Sequence, residues 1–150
     1  MTDFSIRPFE AAHALAIPDI ETVGRVKDIV QAKPYLDAVE KAGSGFTLFV
    51  ENEIVGCVVF LQLLWDGLAE VIMFISRSQI KKHAKLTFRL CRDNIDRIQR
   101  EHGWRRIQSK VFPSLEPDIR FARHLGFHTE SIKKAYGPDG EDMLEMVRII

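Results

Sequence analysis

Cysteine is scarce. Cys57 and Cys91 are the only two in 150 residues, too few for a disulfide scaffold and in keeping with a reducing compartment. Charge of one sign is not in excess either. The 21 Lys and Arg balance 21 Asp and Glu, so net charge names no partner. Long apolar runs are missing too. The longest, Ile54 to Trp65, is interrupted by Gly56 and Gln62 and reads as a buried strand, not a bilayer span. The opening MTDFSIRPFE carries an acid and an arginine where a secretory signal needs apolar residues, so the expected location is the cytoplasm. Repeats, low-complexity tracts and linker-like stretches are absent. What is there, 46% hydrophobic and 28% charged residues with 9 Gly and 6 Pro, is ordinary globular composition. The length fits one domain over 1–150.

The pattern along the chain alternates between strand and helix. Phe4 to Pro8 reads as a short strand. From Glu10 to about Ala42 the spacing is helical, with Ile17, Ile20, Val23, Val26, Ile29 and Val30 recurring at threes and fours, and Pro34 opening a last helical piece. Phe46–Val50 and Ile54–Phe60 flank Glu51-Asn52-Glu53 as a β-hairpin. After the Asp66-Gly67 turn, Ala69–Ile75 is apolar on both faces apart from Glu70, as a central strand would be. A long helix is expected from about Ser78 to Glu101, on the stripe Ile80, Ala84, Phe88, Cys91, Ile95 and Ile98. Trp104–Phe112 returns to strand, and Pro117–His124 is a short helix capped by Gly126. Phe127–Lys134 and Met143–Ile150 pair across Gly137-Pro138-Asp139-Gly140.

This order and several local strings resemble the Gcn5-related N-acetyltransferase superfamily. The hairpin from Phe49 to Gly56 is similar to the family's second and third strands. Ile119-Arg120-Phe121-Ala122-Arg123-His124-Leu125-Gly126-Phe127 resembles its late helix running into Leu-Gly-Phe, and Gly140 to Met146 its final hairpin. The resemblance implies a single α/β domain with a mixed, mostly antiparallel sheet flanked by helices. It also implies acetyl-CoA as co-substrate, placed between the fourth and fifth strands. The family's pyrophosphate motif is Gln or Arg, two residues, Gly, one residue, then Gly or Ala. Here it falls on Gln79, Ile80, Lys81, Lys82, His83 and Ala84, with Lys82 in place of the glycine. A glycine lets phosphate approach the backbone, whereas lysine offers a charge-assisted contact; a solvated basic turn is the alternative.

Acetyl transfer needs a base for the ammonium, donors for the tetrahedral oxyanion and a proton for the thiolate. The resemblance assigns the base to Glu70 and the oxyanion donor to a backbone N–H at Phe74 or Ile75. A carboxylate with its head in solvent is the competing reading of Glu70. The family's tyrosine on the late helix is Ala122 here, and its asparagine region reads Ser114-Leu115-Glu116, which leaves Ser114 as the polar candidate for cofactor contact. Cys57 and Cys91 read as inert core thiols. His13, His83, His102, His124 and His128 show no zinc spacing, and no metal is expected.

Charge is uneven along the chain. Arg77 to Lys110 holds eleven bases against three acids, a net +8 that leaves −8 elsewhere, and such asymmetry steers anions. Nucleic acid is the weaker partner reading, because Trp104 beside Arg105 reads as core. The leading expectation is an acyl-CoA-dependent N-acyltransferase acting on a small-molecule or protein amine, with no membrane partner. The alternative is an inactive binding or assembly protein of the same fold, of the viral or prophage kind. Asp19, Glu21, Glu141 and Asp142 are acids that can attract a cationic acceptor, and exposed C-terminal edge strands leave a homodimer open.

Overall fold

The computed structural model describes residues 2–20 and 25–150; Glu21 and Val23 lie outside the described residues. Strand β1 (Phe4–Pro8) is followed by α1 (Ala11–Leu15), α2 (Arg25–Val30) and α3 (Lys33–Ala42). Pro34 sits in the first turn of α3, where its missing N–H has no intrahelical role. Then come β2 (Ser44–Val50), β3 (Glu53–Gln62) and β4 (Leu68–Ile75). Glu51 and Asn52 link β2 to β3 with φ of 52° and 66°, the left-handed pair that a tight hairpin turn demands. The remainder is α4 (Arg77–Lys82), α5 (Ala84–Glu101), β5 (Arg106–Val111), α6 (Glu116–His124), β6 (His128–Lys133) and β7 (Met143–Ile149).

The expected single helix after β4 is therefore two. The apolar stripe runs through, but His83 leaves the helix at φ −126°, ψ 33° and separates α4 from α5. The start of α4 is tied down by side chains from elsewhere in the chain, whereas α5 is set by burial of Cys91 and Ile95. Periodicity reports only the second constraint.

The strands form one sheet in the order β1-β2-β3-β4-β5-β7-β6. β1–β2, β2–β3, β5–β7 and β6–β7 are antiparallel. The parallel ladder of β4 with β5 pairs Leu68–Glu70 with Arg106–Gln108. No described helix is long and apolar enough to cross a membrane.

The residues gather into two compact units, Met1–Leu61 with Ile72–Thr87, and Gln62–Val71 with Phe88–Ile150. In the first, Phe9, Ala14, Ile17, Leu36 and Val39 pack with Cys57, Val59 and Phe74, and the rings of Phe9 and Phe74 stack at 6.0 Å. A Cβ on Gly45 would run into the Val58 carbonyl, so β2 and β3 meet closely only with glycine there. In the second unit Gln99, fully buried, exchanges hydrogen bonds with Arg148, whose guanidinium also reaches Asp96 at 2.8 Å and the Leu125 carbonyl at 3.0 Å.

Gly126 closes α6 at φ 94°, which lets Phe127 donate back to the Ala122 carbonyl at 3.0 Å. An added Cβ there would also lie 2.9 Å from Arg148 Nε. Gly126→Ala should therefore lower unfolding free energy by about 1–2 kcal/mol for the left-handed backbone alone. Urea denaturation measures it, and an unchanged midpoint contradicts the assignment.

Candidate active site

In the first unit, chemistry concentrates where the chain leaves β4. Ser76 is the N-cap of α4, and its Oγ accepts the Gln79 N–H at 3.3 Å. Asp19 grips the same turn. Its carboxylate accepts the Ser76 hydroxyl at 2.7 Å and the Ser78 N–H at 2.8 Å, and its carbonyl accepts the Arg77 N–H at 3.1 Å. Burial alone would raise the Asp19 carboxyl; the hydrogen bonds from Ser78 and Ser76 outweigh it and hold the group below its usual range. Asp19 is thus a cap for α4, and no acid free to attract an acceptor.

Three side-chain atoms beyond this turn are buried with no hydrogen-bond partner: Gln79 Oε1, His83 Nε2 and Thr87 Oγ1. They recur every four residues, along one line of α4 and α5. Buried polar atoms are nearly always paired with protein or ordered water, so these three are the unmet hydrogen-bonding capacity of the segment. Ile80 and Ala84 are half-buried between them, and Lys81 and Lys82 are exposed. Side chains able to hold an anionic, hydrogen-bonding group such as CoA are present. A glycine cradle is not, because the segment is helical.

In the second unit, β5 places Arg106, Gln108 and Lys110 on one face and buries Ile107, Ser109 and Val111 on the other. Lys110 pairs across the ladder with Glu145 of β7, and Glu70 of β4 lies beside Gln108. The Lys110 ammonium touches both oxygens of Glu70, at 3.0 and 3.1 Å, and Glu145 at 3.1 Å. Lys133 also reaches Glu145 at 3.3 Å, Arg106 forks onto Glu130 at 2.6 and 2.7 Å, and the Tyr136 ring lies 5.7 Å from the ammonium. Glu70 does not have its head in solvent: its side chain is 19% exposed and ion-paired. Burial pushes its carboxyl above the usual range, and Lys110 pulls part of this back. Burial works against the Lys110 charge, but Glu70 and Glu145 prevail and hold the ammonium above the ordinary lysine value. Glu145 is held below the usual range, its burial outweighed by Lys110 and Lys133.

The other expected residues lie as follows. Phe74 is 1% exposed and belongs to the core, while Ile75 is half-buried. The Ser76 N–H donates to Val55 on β3, so by strand alternation the backbone of Phe74 also faces β3 and that of Ile75 faces away from it. Ser114 is exposed in the turn before α6, and Ala122 is buried in that helix. Glu141 and Asp142 are occupied within the β6–β7 turn, on the Asp139 and Ala135 amides. Both thiols are buried and pushed up to about 12 by desolvation, as inert core cysteines should be. Trp104 is 3% exposed and stacked on His102, a core residue. The sequence marks neither Thr87 nor Glu145, nor Asp19 as a cap, nor Lys110 as the partner of Glu70. The one signal available was Ser76-x-x-Gln79, a capping-box spacing.

No family model and no curated protein matches the sequence. Solved structures do. A Bacillus subtilis acetyltransferase in complex with CoA superposes with a TM-score of 0.66 at 19% identity, covering 99% of both chains. An acetyltransferase of the GNAT family from Streptococcus pneumoniae gives 0.72 at 15%, again over 99% of both. A ribosomal-protein-alanine N-acetyltransferase from Escherichia coli gives 0.73 at 15%, over 99% of this chain and 94% of the other. The protein therefore has the fold of the Gcn5-related N-acetyltransferases. At these identities the likeness establishes fold alone.

The charge cluster makes a prediction of its own. Lys110→Met leaves Glu70 and Glu145 buried without their shared cation and should lose about 3 kcal/mol at neutral pH. The pair's contribution in the wild type is present above the usual carboxylate pKa and is lost as pH falls through the lowered Glu145 value. The difference between variant and wild type should accordingly shrink on acidification. Urea midpoints at neutral pH and in acid measure it; an equal loss at both contradicts the pairing.

Proposed function

We propose that this chain is an acyl-CoA-dependent N-acyltransferase that moves an acetyl group from acetyl-CoA to an amine. The observation that carries the reading is the line of orphaned polar atoms, Gln79 Oε1 and His83 Nε2 above all. The segment matches the pyrophosphate motif that the Gcn5-related resemblance implies, and one of the chain's structural neighbours is an acetyltransferase in complex with CoA. The acceptor is a small-molecule or protein amine. The two buried free thiols suit a reducing compartment, and we place the protein in the cytoplasm.

In this reading Gln79 to Ala84 hold CoA, and the bound thioester supplies an activated acetyl group. Glu70 takes the proton from the incoming ammonium. Two of its lone pairs face Lys110, and a carboxylate has about four acceptor sites, so capacity remains for a substrate N–H. Its raised pKa makes it a better base than an exposed carboxylate. Of the two backbone donors expected for the oxyanion, Ile75 is the one turned away from β3. Ala122 has no proton to give. A thiol ionises near pH 8.5, so the departing thiolate needs little help and water suffices.

A second reading, a protein that binds CoA without turning it over, is favoured by Ala122 and by the ion pair on Glu70. Thermal unfolding with and without acetyl-CoA comes first. At a hundred times its Kd the ligand should add about 2.7 kcal/mol of apparent stability, and Gln79→Ala should abolish the shift. Glu70→Gln should keep the shift and lower acetyl transfer to amine acceptors by roughly 10²–10⁴-fold. No shift at millimolar acetyl-CoA defeats both readings; a shift without transfer to any amine leaves the binding protein.

A further inference from the structure

The amides that a phosphate would need in a glycine cradle already have acceptors. Arg77 N–H donates to the Asp19 carbonyl and Ser78 N–H to the Asp19 carboxylate. Gln79 N–H donates to Ser76 Oγ at 3.3 Å, Ile80 N–H to the Ser76 carbonyl at 3.0 Å, and His83 N–H to the Gln79 carbonyl at 3.0 Å. Lys81 and Lys82 lie in the last turn of α4, where helical amides point back to the preceding turn. Asp19 takes two of these amides and the Ser76 hydroxyl. It is 57 residues from Ser76, and its carboxylate fills the end of the turn with a negative charge of the chain's own. The backbone of 77–83 thus offers an anion little, and what remains for it is in side chains: Lys81 and Lys82, both exposed, and Gln79 and His83, whose Oε1 and Nε2 are buried and unpartnered.

We propose that this chain reads the CoA diphosphate with side chains, Lys82 and His83, in place of a backbone loop, and that Asp19 is the positioning residue that imposes the exchange by keeping Ser76–Lys82 helical. The inference rests on the acyl-CoA reading above. Lysine at position 82 is then a replacement for the family's glycine and no defect. An ammonium supplies the charge-assisted contact that the helical amides no longer can. His83, at the α4–α5 boundary, supplies the second contact through Nε2, which has no partner within the chain.

The discriminating variant is Lys82→Gly, which restores the family's residue. Calorimetric titration of CoA into the wild type, Lys82→Gly, Lys82→Ala, Lys82→Arg and His83→Ala gives Kd directly. Lys82→Gly and Lys82→Ala should each weaken binding at least tenfold, His83→Ala similarly, and Lys82→Arg by less than about threefold. The loss should be the same for 3′-dephospho-CoA, which keeps the diphosphate. Equal or tighter binding by Lys82→Gly overturns the proposal and leaves the acyl-CoA reading standing. A loss that disappears with 3′-dephospho-CoA overturns the assignment to the diphosphate. Failure of the wild type to bind overturns both readings. The Asp19 step has a readout free of ligand: in Asp19→Ala, amide hydrogen exchange at Ser78, Gln79 and Ile80 should accelerate at least tenfold relative to core amides of α5. Asp19→Asn, which keeps the acceptor for Ser76, should recover part of the protection. Unchanged exchange in Asp19→Ala removes Asp19 from the account.

Discussion

The way the chain leaves β4 at Ser76 determines what the rest of the molecule can do. One carboxylate, Asp19, is hydrogen-bonded to Ser76 and Ser78, and Ser76 in turn caps the Gln79 amide. This arrangement sets a helical turn where a phosphate-binding fold ordinarily offers bare amides. Beyond it the helix breaks at His83, Lys82 is exposed, and the polar atoms of Gln79, His83 and Thr87 are buried without partners. The stabilisation from each hydrogen bond is about 1 kcal/mol, and more where a charge takes part.

The second constraint is electrostatic. Three carboxylates and three cations share one face of β4, β5, β7 and β6, and Lys110 sits at its centre with Glu70 on one side and Glu145 on the other. A half-buried cation between two acids opposes the protonation of both, and the Glu70 carboxyl, pushed up by burial, is pulled part of the way back by Lys110. Tyr136 on the β6–β7 turn, 5.7 Å from the same ammonium, shields the cluster from one side. Base strength and solvent access at Glu70 are therefore properties of a network contributed by strands far apart in sequence.

Much of the fold was legible because it depends on local chemistry. Branched and aromatic residues marked β2 and β3, Glu51-Asn52 marked their turn, and Gly126 marked the end of α6. The break at His83 was not legible, since an apolar stripe records only the buried face of a helix and says nothing of a clamp applied from Asp19. Glu70 was legible as the lone acid on a central strand. Its partner was not: Lys110 is 40 residues away, and only the β4–β5 ladder brings the two together. The family motif falls on Gln79 to Ala84 but carries with it a loop geometry that this sequence does not adopt, because Arg77 to Lys82 are helical. Asp19, read as an acid awaiting an amine, serves the chain itself.

The central claim is that CoA is held by the segment from Ser76 to Thr87. Chemical-shift mapping of the ¹⁵N-labelled protein titrated with CoA tests it most directly. The account predicts saturable shifts concentrated on the amides of Gln79 to Thr87, with the His83 imidazole moving and the Arg106–Glu130 face of β5 and β6 unchanged. Shifts confined to other elements, or none at all, would contradict it.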